Sequence, residues 1–181
     1  MNLIDKAKRF AEIAHSGQER KLSGEPYFQH LENVALILLK AGFREEVIAA
    51  GYLHDAVEDT DTEISHIEKK FGIEVAQLVT ANTENKNLSW EERKQRTISF
   101  VKTASIEEKA IIAADKLDNI NSLEEFYKRH GDSIWSYFNR GRDKQAEYYK
   151  AVSENLFYHL DPNQIPSYFY SLQRSVKELF G

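Results

Sequence analysis

The chain has 181 residues and no cysteine, which excludes disulfides, thiolate metal sites and cysteine nucleophiles. Its formal net charge of −5 disfavours sequence-independent binding of nucleic acid, which requires a basic surface. No stretch approaches the ~18 apolar residues of a membrane span, and the N-terminus lacks the apolar core of a signal peptide. We therefore expect a cytoplasmic protein with neither a membrane nor a nucleic-acid partner.

Apolar residues recur at helical spacing along most of the chain, and no two-residue strand pattern is present. The scarcity of proline (three) and glycine (eight) also favours helices joined by short turns. The predicted helices cover about residues 3–16, 28–41, 44–59, a short segment after Thr60-Asp-Thr-Glu63, 73–82, 90–103, 106–128, 132–159 and a terminal segment from Asp161-Pro162. We predict a single all-α bundle in residues 1–160, with a C-terminal helix in residues 161–181 that packs on the same domain.

Several helix ends carry capping signals. Ser89-Trp-Glu-Glu92, Ser105-Ile-Glu-Glu108 and Thr60-Asp-Thr-Glu63 all have the spacing of a capping box. Gly42 is placed where a C-terminal cap belongs, and Gly72 should separate two short helices.

The segment Gly51–Thr60 brings one histidine and three carboxylates into an otherwise apolar helix. Charged side chains are seldom buried unless they are paired or bind a metal. His54 and Glu58 are four residues apart, as are Asp55 and Asp59, so a continuous helix would gather them on one polar face. A divalent cation with bound water would compensate for the desolvation of that face.

A histidine and an aspartate in adjacent positions cannot complete a coordination shell, so further ligands must come from other elements. His30 begins the second helix after a Gly/Pro loop, and Asp115 follows the apolar run Ala110–Ala114. Two imidazoles and two carboxylates suit manganese, iron or zinc more than calcium. The sequence predicts one divalent metal, bound between helices by His30, His54, Asp55 and Asp115.

In this order the four residues have the form of the HD-domain phosphohydrolase superfamily, which the chain resembles. It is most similar to the hydrolase domain of the RelA/SpoT family and to its small stand-alone members, the MESH1-like alarmone hydrolases. The likeness spans about residues 5–150 through Ala14-His-Ser-Gly-Gln-Glu-Arg-Lys21, Gly24-Glu-Pro-Tyr-Phe-Gln-His30, Leu53-His-Asp-Ala-Val-Glu-Asp-Thr60, Phe71-Gly72 and Ala114-Asp-Lys-Leu-Asp-Asn119. Leu31 stands where the family usually has proline, a departure that affects helix geometry but no ligand.

The resemblance implies an HD-type hydrolase that uses Mn²⁺ to remove pyrophosphate from the 3′ position of guanosine tetra- or pentaphosphate, leaving GDP or GTP. Glu58 and Asp59, one turn beyond the ligands, are the expected catalytic carboxylates, which would orient a water molecule or transfer its proton. Glu58 is preferred because it lies on the same helix face as His54. No nucleotide-synthetase segment follows, so hydrolysis alone is expected.

By resemblance, Arg20 and Lys21 contact the substrate: the guanidinium stacks on the purine and the ammonium meets phosphate. Asn119 lies one turn after Asp115 and should face the same cavity. The remaining candidates are Lys116 and Arg142 for phosphate and Tyr148 for the ribose.

Two other functions are consistent with parts of this pattern. An HD-domain phosphatase for another nucleotide, or for the ribose phosphate of a dinucleotide, would need neither Glu58-Asp59 nor Arg20-Lys21. A non-enzymatic nucleotide-sensing module would predict an incomplete metal set, whereas the set here is complete. The aromatic residues on the later helices are expected to pack in the core or on a dimer face, and those exposed near 135–149 and 168–170 would allow a homodimer. Charged pairs such as those in Glu91-Glu-Arg-Lys94 are expected on solvated helix faces.

Overall fold

The computed structural model describes all 181 residues and consists of helices and loops, which confirms the all-α prediction. The α-helices are α1 (Leu3–Ala14), α2 (Phe28–Lys40), α3 (Glu45–Leu53), α4 (Ala56–Asp59), α5 (Ile64–Phe71), α6 (Ile73–Asn82), α7 (Trp90–Thr103), α8 (Ile106–His130), α9 (Arg142–Asn155) and α10 (Ser167–Phe180). Two 3-10 helices cover Gly131–Tyr137 and Pro162–Gln164. None of the helices combines the length and the apolar character needed to cross a membrane.

Local sequence signals explain where several helices begin and end. The hydroxyls of Ser89 and Ser105 accept from the backbone N–H of Glu92 and Glu108 at 3.1 and 3.2 Å. Each glutamate accepts in return from the N–H of its serine at 2.9 Å, so both predicted capping boxes are confirmed. Gly72 separates α5 from α6 with φ +94°, a conformation that glycine adopts without steric cost.

The third predicted capping box is wrong. Helix α5 begins at Ile64 with Glu63 as its N-cap, and the backbone N–H of Glu63 lies 3.5 Å from Nδ1 of His66. Thr60 instead turns inward, and its hydroxyl donates to the carbonyl of Ala56 at 2.5 Å. The hydroxyl therefore closes the end of α4 rather than the start of α5.

The helix predicted over residues 44–59 is interrupted between α3 and α4. His54 and Asp55 form the junction, where Asp55 has φ −102° and ψ −1°. The backbone N–H of Asp59 still donates to the carbonyl of Asp55 at 2.9 Å. The four-residue relation between the two carboxylates therefore survives, although the helix is not continuous.

The long helix predicted over residues 132–159 and the start of the terminal helix are also wrong. Gly131, with φ +62°, ends α8, and Gly141 has extended backbone (ψ −176°), so only Arg142–Asn155 is α-helical. Asp161 caps a 3-10 turn by accepting from the N–H of Asn163 at 2.9 Å. Pro166 disfavours helical backbone at the residue before it, and α10 therefore begins at Ser167.

Helix α3 lies at the centre of the bundle, because Val47–Leu53 are all buried and pack against α1, α2 and α6. Gly51 makes the contact with α2 unusually close. A Cβ atom at this position would lie 2.6 Å from Leu38 Cδ1 and 3.6 Å from Ala35 Cα. The absence of a side chain at Gly51 thus allows α2 and α3 to approach each other.

The C-terminal part of the chain is tied to α8 by two buried polar side chains. The Tyr168 hydroxyl donates to the carbonyl of Ala110 at 2.6 Å. Lys109 is fully buried, and its ammonium donates to the carbonyls of Leu156, at 3.2 Å, and of Tyr158. These bonds satisfy carbonyl groups beyond the end of α9 and join α8 to that segment.

Of the two expectations for the aromatic residues, core packing is confirmed for most of them, and exposure is wrong for most of them. Trp135, Tyr149 and Phe169 are at most 8% exposed and belong to the same apolar core as α3. Only Tyr137 and Tyr170, at 56% and 46%, reach solvent appreciably in these two regions. Core packing therefore accounts for most of the aromatic side chains, and the homodimer stays a prediction.

Candidate metal centre and active site

Four side chains from three separate parts of the chain converge on one point. His30 comes from the first turn of α2, His54 and Asp55 from the junction of α3 and α4, and Asp115 from the middle of α8. One potential ligand atom of each lies within 4.8 Å of the others. Nε2 of His30 is 2.9 Å from Oδ1 of Asp115, and Nε2 of His54 is 3.1 Å from Oδ2 of Asp55. The imidazoles are 1% and 2% exposed.

Both imidazoles are oriented through Nδ1. Nδ1 of His54 lies 2.7 Å from the carbonyl oxygen of Gly51, which can only accept, so Nδ1 carries a proton. Nδ1 of His30 lies 2.6 Å from Oδ2 of Asp118 in the same manner. When the rings are neutral, both Nε2 atoms therefore present lone pairs toward the carboxylates. Such orientation by an outer carboxylate or carbonyl is a regular feature of metal-binding histidines.

The electrostatics of the cluster favour positive charge at its centre. Burial opposes the imidazolium form, but hydrogen bonds to Asp115 and Asp118 outweigh it and raise the pKa of His30. Burial likewise opposes the charge of Asp115, yet Lys116 and the two histidines hold its pKa well below the ordinary value. Asp55, which faces His54, has its pKa lowered to about 2.

A divalent cation would take the place of the protons that these carboxylates stabilise. Two imidazole nitrogens and two carboxylates suit a first-row transition metal. His30, His54, Asp55 and Asp115 thus form a potential divalent-metal site between helices.

Asp118 and Tyr27 support this quartet and were not predicted. Asp118 accepts from Arg20 Nη1 and Asn33 Nδ2, both at 3.0 Å, in addition to His30. The Tyr27 hydroxyl donates to Oδ2 of Asp55 at 2.5 Å. Both residues lie inside motifs recognised in the sequence, and Asp118 is one turn from Asp115, but nothing in the sequence distinguishes them from ordinary polar residues.

A cavity of about 360 Å³ opens beside the quartet. Most of the predicted site residues line it: His54, Asp55, Glu58, Asp59, Asp115, Lys116, Asn119 and Tyr148. Glu58 is half-buried, and this burial raises the pKa of its carboxyl to about 7, although a hydrogen bond from the backbone N–H of Glu84 opposes the shift. Oδ1 of Asp59 pairs with the ammonium of Lys86 at 2.9 Å.

Two polar residues contact Asp115 at the cavity wall, and Tyr148 lies next to one of them. The ammonium of Lys116 lies 2.9 Å from Oδ2 of Asp115, and Asn119 Nδ2 donates to its Oδ1 at 3.2 Å. Tyr148 is 4% exposed, yet its hydroxyl has no hydrogen-bond partner within the protein. Lys94 and Lys116 place their ammonium groups 5.0 and 5.3 Å from the centre of the Tyr148 ring. The hydroxyl thus keeps an unused donor beside the cavity.

Arg20 and Lys21 lie along a neighbouring cavity of about 210 Å³ that also includes Tyr27, Asn119 and Phe138. Arg20 is ion-paired with Asp118, whereas the ammonium of Lys21 lies 5.5 Å from the centre of the Phe138 ring.

The structure does not bring Arg142 to either cavity. It is the first residue of α9, its guanidinium lies over the ring of Phe180 and it donates to the carbonyl of Phe180 at 3.3 Å. These contacts with Phe180 hold Arg142 away from the phosphate contact that was expected of it.

The cationic wall of the larger cavity was missed. Arg93, Lys94 and Arg96 of α7 line it. The side chains of Arg93 and Lys94 are only 24% and 19% exposed, and both pair with Glu84. The expectation that Glu91–Lys94 is a solvated face is confirmed for Glu91 and Glu92, which are exposed, and wrong for Arg93 and Lys94, which line the cavity because α7 packs against α9.

Comparisons with known proteins agree with this site. The HD domain family matches residues 7–143. Drosophila melanogaster guanosine-3′,5′-bis(diphosphate) 3′-pyrophosphohydrolase MESH1 is 41% identical over 119 residues, which are 64% of this chain and 66% of that protein. The crystal structure of lmo0812 from Listeria monocytogenes EGD-e is 53% identical with a TM-score of 0.81, covering 83% of this chain and 98% of that one.

A second solved structure, described as a metazoan ortholog of SpoT that hydrolyzes ppGpp, is 31% identical with a TM-score of 0.78. The alignment covers 99% of this chain and 94% of that one. The chain spans 66% of the Drosophila protein and only 18% of a longer curated relative with the same enzyme name. The match to the family model includes positions 30, 54, 55 and 115, and the chain belongs to the HD domain family, in its MESH1-like branch.

Proposed function

We propose that this protein is a manganese-dependent guanosine-3′,5′-bis(diphosphate) 3′-pyrophosphohydrolase that acts in the cytoplasm and releases pyrophosphate together with GDP or GTP. The observation that carries the proposal is the convergence of His30, His54, Asp55 and Asp115 beside a polar cavity that also holds Glu58. The names of relatives that share this region support the choice of substrate. The cations along the cavity wall suit a ligand with several phosphates.

Manganese is consistent with the mixed donor set of the quartet. When bound, such a cation supplies Lewis acidity and lowers the pKa of a water molecule. His30, His54, Asp55 and Asp115 would hold it, with Asp118 and the carbonyl of Gly51 keeping the imidazoles in orientation.

In the proposed reaction, water adds to the phosphorus atom that is bonded to the ribose 3′ oxygen, and the bond between these two atoms breaks. One proton of the water passes to Glu58, which returns it to the 3′ oxygen as that oxygen leaves with GDP, so that the products are pyrophosphate and GDP with a free 3′ hydroxyl. Glu58 suits this role because it lines the cavity near Asp55 and its carboxylate is held at 2.7 Å by the N–H of Glu84. Asp59, whose carboxylate is anchored by Lys86, would orient the water.

The remaining side chains would position the nucleotide. The unpartnered Tyr148 hydroxyl and the amide of Asn119 would bind the ribose, and Lys116 would meet a phosphate oxygen. The smaller cavity, with Arg20 and Lys21 along it, would take the purine base.

The test is the release of pyrophosphate from guanosine tetraphosphate with Mn²⁺, after chelation with EDTA and after Mn²⁺ is restored. We expect turnover only with the metal, and none from His54→Ala. His130→Ala changes an exposed histidine at the end of α8 and serves as the matched control. A panel of nucleoside monophosphates and of dinucleotides with a ribose phosphate tests the alternative substrates. If the wild type binds Mn²⁺ but releases no pyrophosphate, the proposed activity is wrong and the metal site stands.

A further inference from the structure

The loop between α6 and α7, residues 83–89, contacts both carboxylates to which the reaction is assigned. The backbone N–H of Glu84 donates to Oε1 of Glu58 at 2.7 Å. The ammonium of Lys86 lies 2.9 Å from Oδ1 of Asp59. These contacts place Glu84 and Lys86 directly against the proposed reaction centre.

The side chain of Glu84 has a different set of partners from its backbone. Its carboxylate accepts from Arg93 Nη1 at 3.1 Å and from Lys94 Nζ at 3.0 and 3.4 Å. All three residues line the larger cavity, and the Glu84 side chain is only 17% exposed. A single carboxylate of the protein therefore occupies two cations of the cavity wall.

The charges of the cavity are arranged unevenly. The quartet and the pair Glu58-Asp59 make one part acidic, and Arg93, Lys94 and Arg96 make the α7 wall basic. A nucleotide with two diphosphate groups can place only one of them at the quartet, and the second needs cations elsewhere. Arg93 and Lys94 offer such cations, but both are already paired with the carboxylate of Glu84.

We propose that Glu84 is a specificity-determining residue, whose carboxylate a phosphate group of the substrate must displace before it can bind Arg93 and Lys94. A highly charged phosphate group competes well for a guanidinium and an ammonium, whereas a weakly charged ligand does not, so the internal carboxylate discriminates against the latter. The identity of the substrate rests on the proposed function; the competition between Glu84 and phosphate does not.

The two roles of Glu84 can be separated by substitution. Glu84→Gln removes the negative charge and keeps both the length of the side chain and the backbone N–H that holds Glu58. We therefore expect kcat for guanosine tetraphosphate to stay within about twofold while KM falls about fivefold, since two partly exposed ion pairs are released. Glu91→Gln is the matched control, because Glu91 lies on α7, pairs with Arg140 at 2.7 Å and is 55% exposed.

Binding of inorganic pyrophosphate, measured by calorimetry on metal-free protein, makes the test independent of turnover. Glu84→Gln should bind pyrophosphate about fivefold more tightly than the wild type, and Glu91→Gln should not. Adding Lys94→Gln to Glu84→Gln should cancel the gain, as a coupled pair requires. Unchanged affinity in a folded Glu84→Gln protein would overturn the proposal. If Glu84→Gln does not fold, Lys94→Gln is measured instead. Unaltered pyrophosphate affinity in that variant would also overturn the proposal. A wild type without turnover but with this binding pattern would remove the proposed substrate and keep the role of Glu84.

Discussion

The metal quartet and the α7 wall lie beside the same cavity, yet they are built in different ways. The quartet is made of isolated polar residues in apolar surroundings, such as Asp115 after Ala110–Ala114. The wall is made of charged residues from the first half of α7, a helix in which only Val101 is buried. The first kind of site is visible in a sequence, because burying an isolated charge has a high cost that only a partner can offset.

The second kind of site is not visible in this way. Arg93 and Lys94 have the same composition and spacing as a solvated helix face, and only the packing of α7 against α9 decides which charges face the cavity. The cost of desolvation thus determines which residues form the quartet. The placement of α7 relative to α9 determines which residues form the cationic wall.

The largest effect should follow from a change within the quartet. Asp115→Asn replaces a carboxylate that is within hydrogen-bonding distance of His30, Lys116 and Asn119, and we expect turnover to fall by at least about 10³-fold because several kcal/mol of metal chemistry are lost. Pyrophosphate release and the metal content of the purified protein measure the effect. Asp143→Asn, at a side chain that is 94% exposed, is the control and should retain both. Full activity in Asp115→Asn would contradict the assignment of the quartet.

A smaller loss of turnover is expected from a change that affects proton transfer rather than metal binding. Glu58→Gln keeps the shape of the side chain and its acceptor for the N–H of Glu84 but cannot accept a proton, so kcat should fall about 10²–10⁴-fold. Metal binding, followed by calorimetry, should change little. A parallel loss of metal would instead make Glu58 a ligand and extend the quartet.

Asp118→Asn tests the hydrogen bond that orients the predicted metal ligand His30. Because Asp118 holds Nδ1 of His30 at 2.6 Å, its replacement should weaken metal binding about 10- to 100-fold. Saturating Mn²⁺ should restore most of kcat, which distinguishes this variant from Asp115→Asn. Asn33→Ala removes another partner of Asp118 and should have a weaker effect. Equal losses from both variants would show that the whole network, and not the bond to His30, sets the affinity.

The smallest effect concerns the unpartnered hydroxyl of Tyr148. Tyr148→Phe should lower kcat/KM about tenfold while the free energy of unfolding stays constant or rises by about 1 kcal/mol, since a buried donor without a partner is removed. Arg142→Gln, on the same helix but outside both cavities, should change kcat/KM less than twofold. Chemical denaturation and steady-state kinetics give the two quantities. A destabilised Tyr148→Phe protein would indicate that the hydroxyl has a structural partner.

The fold could be predicted where the signals are local. The boxes at Ser89 and Ser105 and the glycine at position 72 act through neighbouring residues, and the helices they bound were predicted to within a few positions. The prediction of one helix over 132–159 was wrong, because the apolar spacing continues through Gly141, where the backbone is extended. Periodicity alone does not reveal such a break.

The candidate site could likewise be predicted only in part. The positions of His30, His54, Asp55 and Asp115 followed from isolated polar residues and from the family pattern, and the structure gathers these side chains within 4.8 Å. Glu84 gave no comparable signal, because its partners on α7 and its backbone bond to Glu58 exist only after α6 and α7 have been placed.

Gly51 contributes to the metal side of the cavity in two ways. Its missing side chain sets how near α2 can come to α3, and its carbonyl decides which nitrogen of His54 holds the proton. The packing of α2 on α3 and the chemical form of His54 therefore both depend on one residue of the main chain. A substitution at position 51 would disturb the packing and leave the carbonyl in place, so the tautomer of His54 is protected from sequence change, whereas that of His30 depends on the side chain of Asp118.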